Sequence, residues 1–264
     1  MYSVNYHRAA SVADAAKLAK GEAKLVSGGM TLIPAMKTRL AAPSDLVDIS
    51  RIDALKGIKV SGKTVTIGAA TTHYEVATSD KLAKACPALS HLAAMIGDPA
   101  VRHRGTIGGS IANNDPAADY PSAMLALGAT IVTNKRQIAA DKFFKGLFET
   151  ALKDGEIVTA VTFSAPAKAA YEKFRNPASR YAIVGVFVAK GADGARVAVT
   201  GAGDDGVFRS RELEAALAKQ FDAAALASAK VPAKALMSDM HASADYRAHL
   251  IVVMARRAVA AANA

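Results

Sequence analysis

Apolar and polar positions along the chain change period several times, and each change predicts an element. Ser11-Val12-Ala13-Asp14 places a hydroxyl cap three residues before an acid that can reach back to the first amides, so a helix runs from there to about Lys20, with Gly21 as its stop. Residues 24–26 read as a short buried strand, and residues 31–40 as a helix with Pro34 in its first turn, where no amide is required. Residues 46–49 are a strand-length apolar run. Residues 58–60 and 64–68 alternate on either side of Ser61-Gly62-Lys63 and predict a hairpin. Thr72 caps a helix that begins at His73. Pro87 opens another, with Leu89, Leu92, Ala93 and Ile96 at helical spacing and Gly97 at its end.

The second half reads in the same way. An element announced by Asp and Pro signals becomes apolar at Met124, Leu125 and Leu127, and residues 129–133 form a β-branched strand. Residues 141–148 make a short element and residues 156–163 a strand. Pro166 and the alanine-lysine run near 167–170 mark a domain boundary. Residues 181–190 and 195–200 flank Gly191-Ala192-Asp193-Gly194 as the clearest hairpin. The pattern then turns helical at 211–219, at 222–229 and from about 243 to 262, where Tyr246, Leu250, Val253 and Met254 supply an apolar face. Strands and helices mix without a strict βαβ repeat. The expected class is α+β, in two domains spanning 1–165 and 168–264.

Composition narrows the function. The chain has 264 residues, 52% hydrophobic and 21% charged, enough for a sizeable core. Met1 is followed by Tyr2-Ser3-Val4-Asn5-Tyr6-His7-Arg8, which is no secretory leader, and no apolar run reaches the roughly 18 residues a membrane helix needs. The single cysteine, Cys86, rules out an internal disulfide, an iron–sulfur cluster or a zinc site built from cysteines. A cytoplasmic protein is expected. The net charge of +10 is spread along the chain rather than gathered on one element, which argues for solvated surface or an acidic protein partner over nucleic acid. The six histidines lack ligand spacing, so His73, His91 and His103 are expected at the surface or in packing, and Cys86 as a small buried apolar residue.

Two glycine-rich stretches carry the candidate chemistry: Ser27-Gly28-Gly29-Met30-Thr31-Leu32, and Gly105-Thr106-Ile107-Gly108-Gly109-Ser110. Each is either an ordinary tight turn or one half of a cradle in which backbone amides converge on a phosphorylated ligand. Neither ends in Gly-Lys-Ser/Thr and neither is GxGxxG, so the P-loop and Rossmann fingerprints are both absent. A helix that starts at the first Gly-Gly turn favours the cradle.

The run Ile96-Gly97-Asp98-Pro99-Ala100-Val101-Arg102-His103-Arg104-Gly105-Thr106-Ile107-Gly108-Gly109-Ser110, followed by Pro116-Ala117-Ala118-Asp119, resembles the FAD-binding middle subunit of the molybdenum hydroxylases, the family of aerobic carbon monoxide dehydrogenase and xanthine dehydrogenase. The first glycine stretch, with Pro34, Met36, Lys37 and Arg39 after it, is similar too. So are Tyr171-Glu172-Lys173-Phe174-Arg175, Arg180-Tyr181-Ala182-Ile183-Val184-Gly185 and Ser243-Ala244-Asp245-Tyr246-Arg247. The resemblance implies a two-subdomain FAD-binding fold of the vanillyl-alcohol oxidase (PCMH) type and a smaller α+β C-terminal domain. It also implies roles. The amides and hydroxyls of Ser27, Gly28, Gly29, Met30, Thr31 and Leu32, and of Thr106, Ile107, Gly108, Gly109 and Ser110, would hold the FAD pyrophosphate. Asp119 would accept from sugar or ribityl hydroxyls, and Ile96 would lie against the adenine. Val158 would offer backbone groups to the isoalloxazine, Lys173 would sit near its carbonyl oxygens, and Tyr181 would cover one face. Relatives often carry Asn where this chain has Ser110.

The function implied is electron transfer by an oxidoreductase subunit that has no catalytic nucleophile or metal of its own. Electrons would pass from a molybdenum cofactor in a large subunit, through [2Fe–2S] clusters in a small subunit, to FAD and an external acceptor, in a dimer of heterotrimers. Two alternatives stand beside it. One is a free-standing FAD oxidoreductase of the same fold, and the other is a basic binding module whose glycine stretches are only turns.

Overall fold

The computed structural model describes residues 1–264, organised around three principal sheets. A three-stranded parallel sheet places Asp45–Asp48 between Asn5–Arg8 and Lys24–Val26. A five-stranded antiparallel sheet orders Ile58–Ser61, Thr64–Gly68, Val158–Ser164, Thr130–Thr133 and Gln137–Ala139. Between its second and third strands in chain order, Thr64–Gly68 and Thr130–Thr133, run six helices, among them Pro99–Arg104, Ile107–Asn113 and Tyr120–Ala126. The C-terminal antiparallel sheet comprises Lys168–Arg175, Ala182–Gly191, Gly194–Thr200 and Phe208–Arg209.

The strand Ala182–Gly191 explains how the C-terminal sheet is placed. Val184, Val186 and Val188 face one apolar cluster with helices Arg211–Lys219 and Ala244–Asn263, while Phe187 and Ala189 face the cluster of the central sheet and its helices. Side chains alternate across a strand, so a sheet covered on both faces reads as a continuous apolar run, as Ala182 to Ala189 does. Arg247 ties the last helix to this sheet. Its guanidinium, 2% exposed, donates to the carbonyl oxygens of Ile183 and Gly201, both at 2.6 Å, and pairs with Asp239 at 2.7 Å.

Several expectations change. Gly105 to Ser110 is not a loop throughout: Thr106 caps a helix that begins at Ile107, and Gly108, Gly109 and Ser110 lie inside its first turns. Its hydroxyl satisfies the Gly109 amide, and this local bond starts the helix despite the glycines. Lys168 already opens the strand Lys168–Arg175, with Ala169 and Ala170 facing different clusters. The strand at 24–26 is half-buried. The helix expected over 31–40 spans Leu32–Lys37, and Arg39 leaves it at φ +64°. The helix from Ser11 stops at Leu18, and 222–229 yields only the 3-10 turn Ala223–Leu226. Residues 141–148 divide into the helical turn Ala140–Phe143, the strand Phe144–Gly146 and a tight turn. On the last helix Tyr246 points outward at 45% exposure, and the buried stripe is Arg247, Leu250, Ile251, Met254, Ala255, Ala258 and Val259. The strand Asn5–Arg8 and the helices Asp80–Ala85 and Pro99–Arg104 carry too short a pattern to be read from sequence.

Candidate functional site

The two glycine stretches meet. A Cβ on Gly28 would overlap the carbonyl oxygen of Arg104 and crowd the Gly105 Cα at 2.7 Å, so only glycine lets the first stretch lie against the second. Thr106 Oγ1 donates to Ser27 Oγ at 3.2 Å across the seam. Beneath the seam, the His73 amide donates to Gly105 O at 2.9 Å and the Ile107 amide to Thr71 O at 3.1 Å.

Their backbone groups are used in opposite ways. The amides of residues 27–32 donate to no group of the chain, and Met30 and Thr31 are exposed. That is a run of free donors able to surround an anion. In the second stretch four successive amides are already occupied: Ile107 by Thr71 O, Gly108 by Ala69 O, Gly109 by Thr106 Oγ1 and Ser110 by Thr106 O. Gly108 is buried against Ala69, whose Cβ and backbone would collide with any side chain there. It is a packing glycine. Of the amides and hydroxyls expected to hold a pyrophosphate, the two stretches thus keep different sets available. The first has the free donors, while the second offers the Thr106 and Ser110 hydroxyls and the open face of Gly109.

Asp119 and Lys173 meet in the interior. The Lys173 ammonium is fully enclosed, 2.9 Å from Asp119 Oδ1 and 3.1 Å from Met95 O. Tyr171 donates its hydroxyl to the same Asp119 oxygen. Burial pushes the Asp119 carboxyl upward, opposed by the Lys173 charge and the two hydrogen bonds. Burying a lysine is costly unless a carboxylate meets it, and here the two partner each other in the interior. Tyr171 stands two residues before Lys173 on one strand, hence on the same face. That spacing was the available signal for a residue the sequence reading left without a role.

The remaining residues line the neighbourhood. Ile96 is half-buried, and its carbonyl accepts from Arg102 Nη1 at 2.9 Å. Val158 is buried, at the bulged start of its strand. Tyr181, 46% exposed, projects from the turn after Lys168–Arg175; its hydroxyl is raised first by burial and then by the charges of Asp115 and Asp119. Thr200 Oγ1 lies 2.6 Å from Ala118 O and the Gly201 amide donates to Pro116 O, which fixes the 116–118 segment to the C-terminal sheet. His73 is buried beside Tyr120, and burial, with Arg102 near, holds its imidazole down at about 4. His91 and His103 are exposed and Cys86 is fully buried. No group of three or more His, Cys, Asp or Glu could hold a metal ion, and no helix is long and apolar enough to cross a membrane.

Residues 2–166 match the family described as the FAD binding domain in molybdopterin dehydrogenase. The chain is 37% identical to the carbon monoxide dehydrogenase medium chain of Afipia carboxidovorans, over 99% of this chain and 97% of that one. It is 33% identical to the nicotine 6-hydroxylase medium subunit of Paenarthrobacter nicotinovorans, over 99% and 98%. Among solved structures, the cyanide-inactivated Cu,Mo-CO dehydrogenase superposes with a TM-score of 0.88 at 35% identity, covering 99% of this chain and 98% of its counterpart. Quinoline 2-oxidoreductase from Pseudomonas putida 86 gives 0.87 at 28%, covering 99% and 97%. This chain belongs to the FAD-binding family of molybdopterin dehydrogenases, and within it to the medium subunits of molybdenum hydroxylases. It is an oxidoreductase subunit of PCMH-type fold whose cofactor is FAD. The free amides of residues 27–32 and the seam only glycine can form suit a pyrophosphate.

Proposed function

We propose that this chain is the electron-transfer subunit of a heteromeric molybdenum hydroxylase, taking electrons from a [2Fe–2S] subunit and passing them to an external acceptor. FAD, when bound, supplies a carrier able to exchange electrons singly or in pairs. The chain's own residues bind and orient it. Residues 27–32 neutralise the pyrophosphate with backbone N–H donors, helped by the Thr106 and Ser110 hydroxyls. Ile96 flanks the adenine, Val158 meets the isoalloxazine edge, and Tyr181 shields one face from water. Asp119, fixed by Tyr171 and Lys173, presents its remaining acceptor capacity to the ribityl chain, and the buried ammonium keeps positive potential behind the ring. Residues 1–165 would form the FAD domain and 168–264 the C-terminal domain. A large molybdenum subunit and a small iron–sulfur subunit would complete a dimer of heterotrimers in the cytoplasm.

The observation that carries this reading is the run of unpartnered amides at residues 27–32, seated against the second glycine stretch. The iron–sulfur donor must lie on another chain, because one cysteine cannot hold a cluster. The test is the absorption spectrum of the purified chain with FAD, followed by anaerobic substrate addition to the assembled complex. A bound-flavin spectrum is expected, with flavin reduction that stops when the iron–sulfur subunit is omitted. A folded chain that binds no FAD would overturn the reading. Reduction of the isolated chain by an organic substrate would favour a free-standing oxidoreductase.

A further inference from the structure

Three successive carbonyl oxygens between helices Pro87–Ala94 and Pro99–Arg104 are each held by a cation. Lys173 Nζ donates to Met95 O at 3.1 Å, and Arg102 Nη1 to Ile96 O at 2.9 Å. Gly97 O receives two guanidinium groups, Arg102 Nη1 and Arg180 Nη1, both at 3.3 Å. Lys173 has its carboxylate in Asp119. The two arginines have none. Neither forms an ion pair anywhere in the chain, and the neighbouring Asp98 accepts instead from the Val101 amide, at 2.8 Å. One neutral oxygen between them does not offset the repulsion of two cations this close.

The pair is also fixed in place. Arg102 stands on helix Pro99–Arg104, and Arg180 on the turn that leads into Tyr181. Asn176 organises that turn. Its Oδ1 accepts from the Ala178 and Ser179 amides at 2.9 and 3.2 Å, its carbonyl from the Arg180 amide at 2.9 Å, and its own amide donates to Tyr181 O at 2.8 Å. These bonds hold Arg180 at φ +63°, a conformation that is uncommon and costly outside glycine. Each arginine grips the loop through a single Nη1. The other N–H groups of both guanidiniums bond to nothing in the chain, and none of them is sealed from solvent.

We propose that Arg102 and Arg180 form a binding site for a phosphate-class oxyanion, built from different residues than the amides of 27–32. One guanidinium edge matches two oxygens, which is all that a carboxylate has. Two such groups meeting at Gly97 call for an anion with three or more oxygens, and for the charge of a phosphate. That anion would neutralise the pair and tie the helix before the second glycine stretch to the turn carrying Tyr181. The site stands on these side chains and does not rest on the electron-transfer reading. Its phosphate comes either from the FAD pyrophosphate or from a second, phosphorylated molecule.

Inorganic phosphate titrated calorimetrically into the full chain, with and without FAD, tests this, with chloride at the same ionic strength as the reference. Phosphate should bind one site per chain. Arg102→Gln and Arg180→Gln should each weaken it about tenfold, and Arg180→Lys, which keeps the charge without the fork, about threefold. Because Arg180 is exposed, its variants should keep the wild-type melting temperature. Arg175→Gln removes an exposed cation from the same segment and should change nothing. Phosphate that still binds the FAD-loaded chain marks a second phosphorylated molecule as the source; phosphate that FAD displaces marks the cofactor's own pyrophosphate. No saturable binding beyond that of chloride, or equal weakening by Arg175→Gln and Arg180→Gln, overturns the proposal. A folded chain that binds phosphate at this pair but takes up no FAD would overturn the functional reading and leave the site standing.

Discussion

Residues 27–32 and residues 105–110 have nearly the same composition, each with a Gly-Gly pair, a threonine and a serine, yet their backbones do opposite work. The first keeps its amides free and meets its neighbour through Gly28. The second spends its amides on Thr71, Ala69 and its own Thr106, and uses Gly108 to pack on Ala69. A glycine pair therefore announces close approach, but not what approaches. In one stretch it is the other stretch; in the other it is Ala69, at the end of the protein's own sheet.

Substitutions can break or sharpen that contrast. Gly108→Val should be the most damaging, about 3 kcal/mol of lost stability, because its neighbours are backbone atoms that cannot turn aside. Thermal unfolding with and without FAD checks it, and a drop in both states is expected. Gly28→Ala should cost about 2 kcal/mol or less in the apo chain, since the exposed stretch can swing away, but should abolish FAD retention as the seam opens. If flavin content survives Gly28→Ala, the seam is not the cradle.

His73, under the seam, adds a pH signature. Its folded pKa of about 4 lies below the ordinary 6.5, so in acid the unfolded chain takes up the proton first. The stability owed to neutral His73 is complete above pH 6.5, drains away as pH falls toward about 4, and has no slope of its own below that. His73→Gln should remove about 2 kcal/mol of that acid loss, read from urea unfolding at neutral pH and near pH 4. Thr106→Val should cost about 1 kcal/mol, through the Gly109 cap and the bond to Ser27. Gly109→Ala should cost about 1 kcal/mol or less, since its exposed position meets only Thr106 Oγ1, which must shift from 2.9 Å. A change in FAD affinity there would mean that the second stretch still touches the pyrophosphate.

Much of this was legible from local pattern. The hairpins at 58–68 and 182–200, the cap at Thr72 and the helix Arg211–Lys219 each follow from period, turn residues and caps a few positions apart. The sequence reading also selected both glycine stretches, Asp119, Lys173 and Tyr181. What it missed depends on residues distant in the chain. Tyr171 matters because Asp119 lies 52 positions away, and Asn114 because it grips a turn 32 to 35 residues further on. The outward placement of Tyr246 follows from which side of the last helix meets the C-terminal sheet.

Sequence alone determined the elements, the mixed class, the glycine-rich candidates and the lack of cysteines for a cluster, because caps, periodicity and composition act over a few residues. The tertiary structure decided which amides stay free, that Lys173 turns to Asp119, and that Arg102 and Arg180 meet at Gly97. Those outcomes depend on desolvation and hydrogen-bond competition between segments that only the fold brings together.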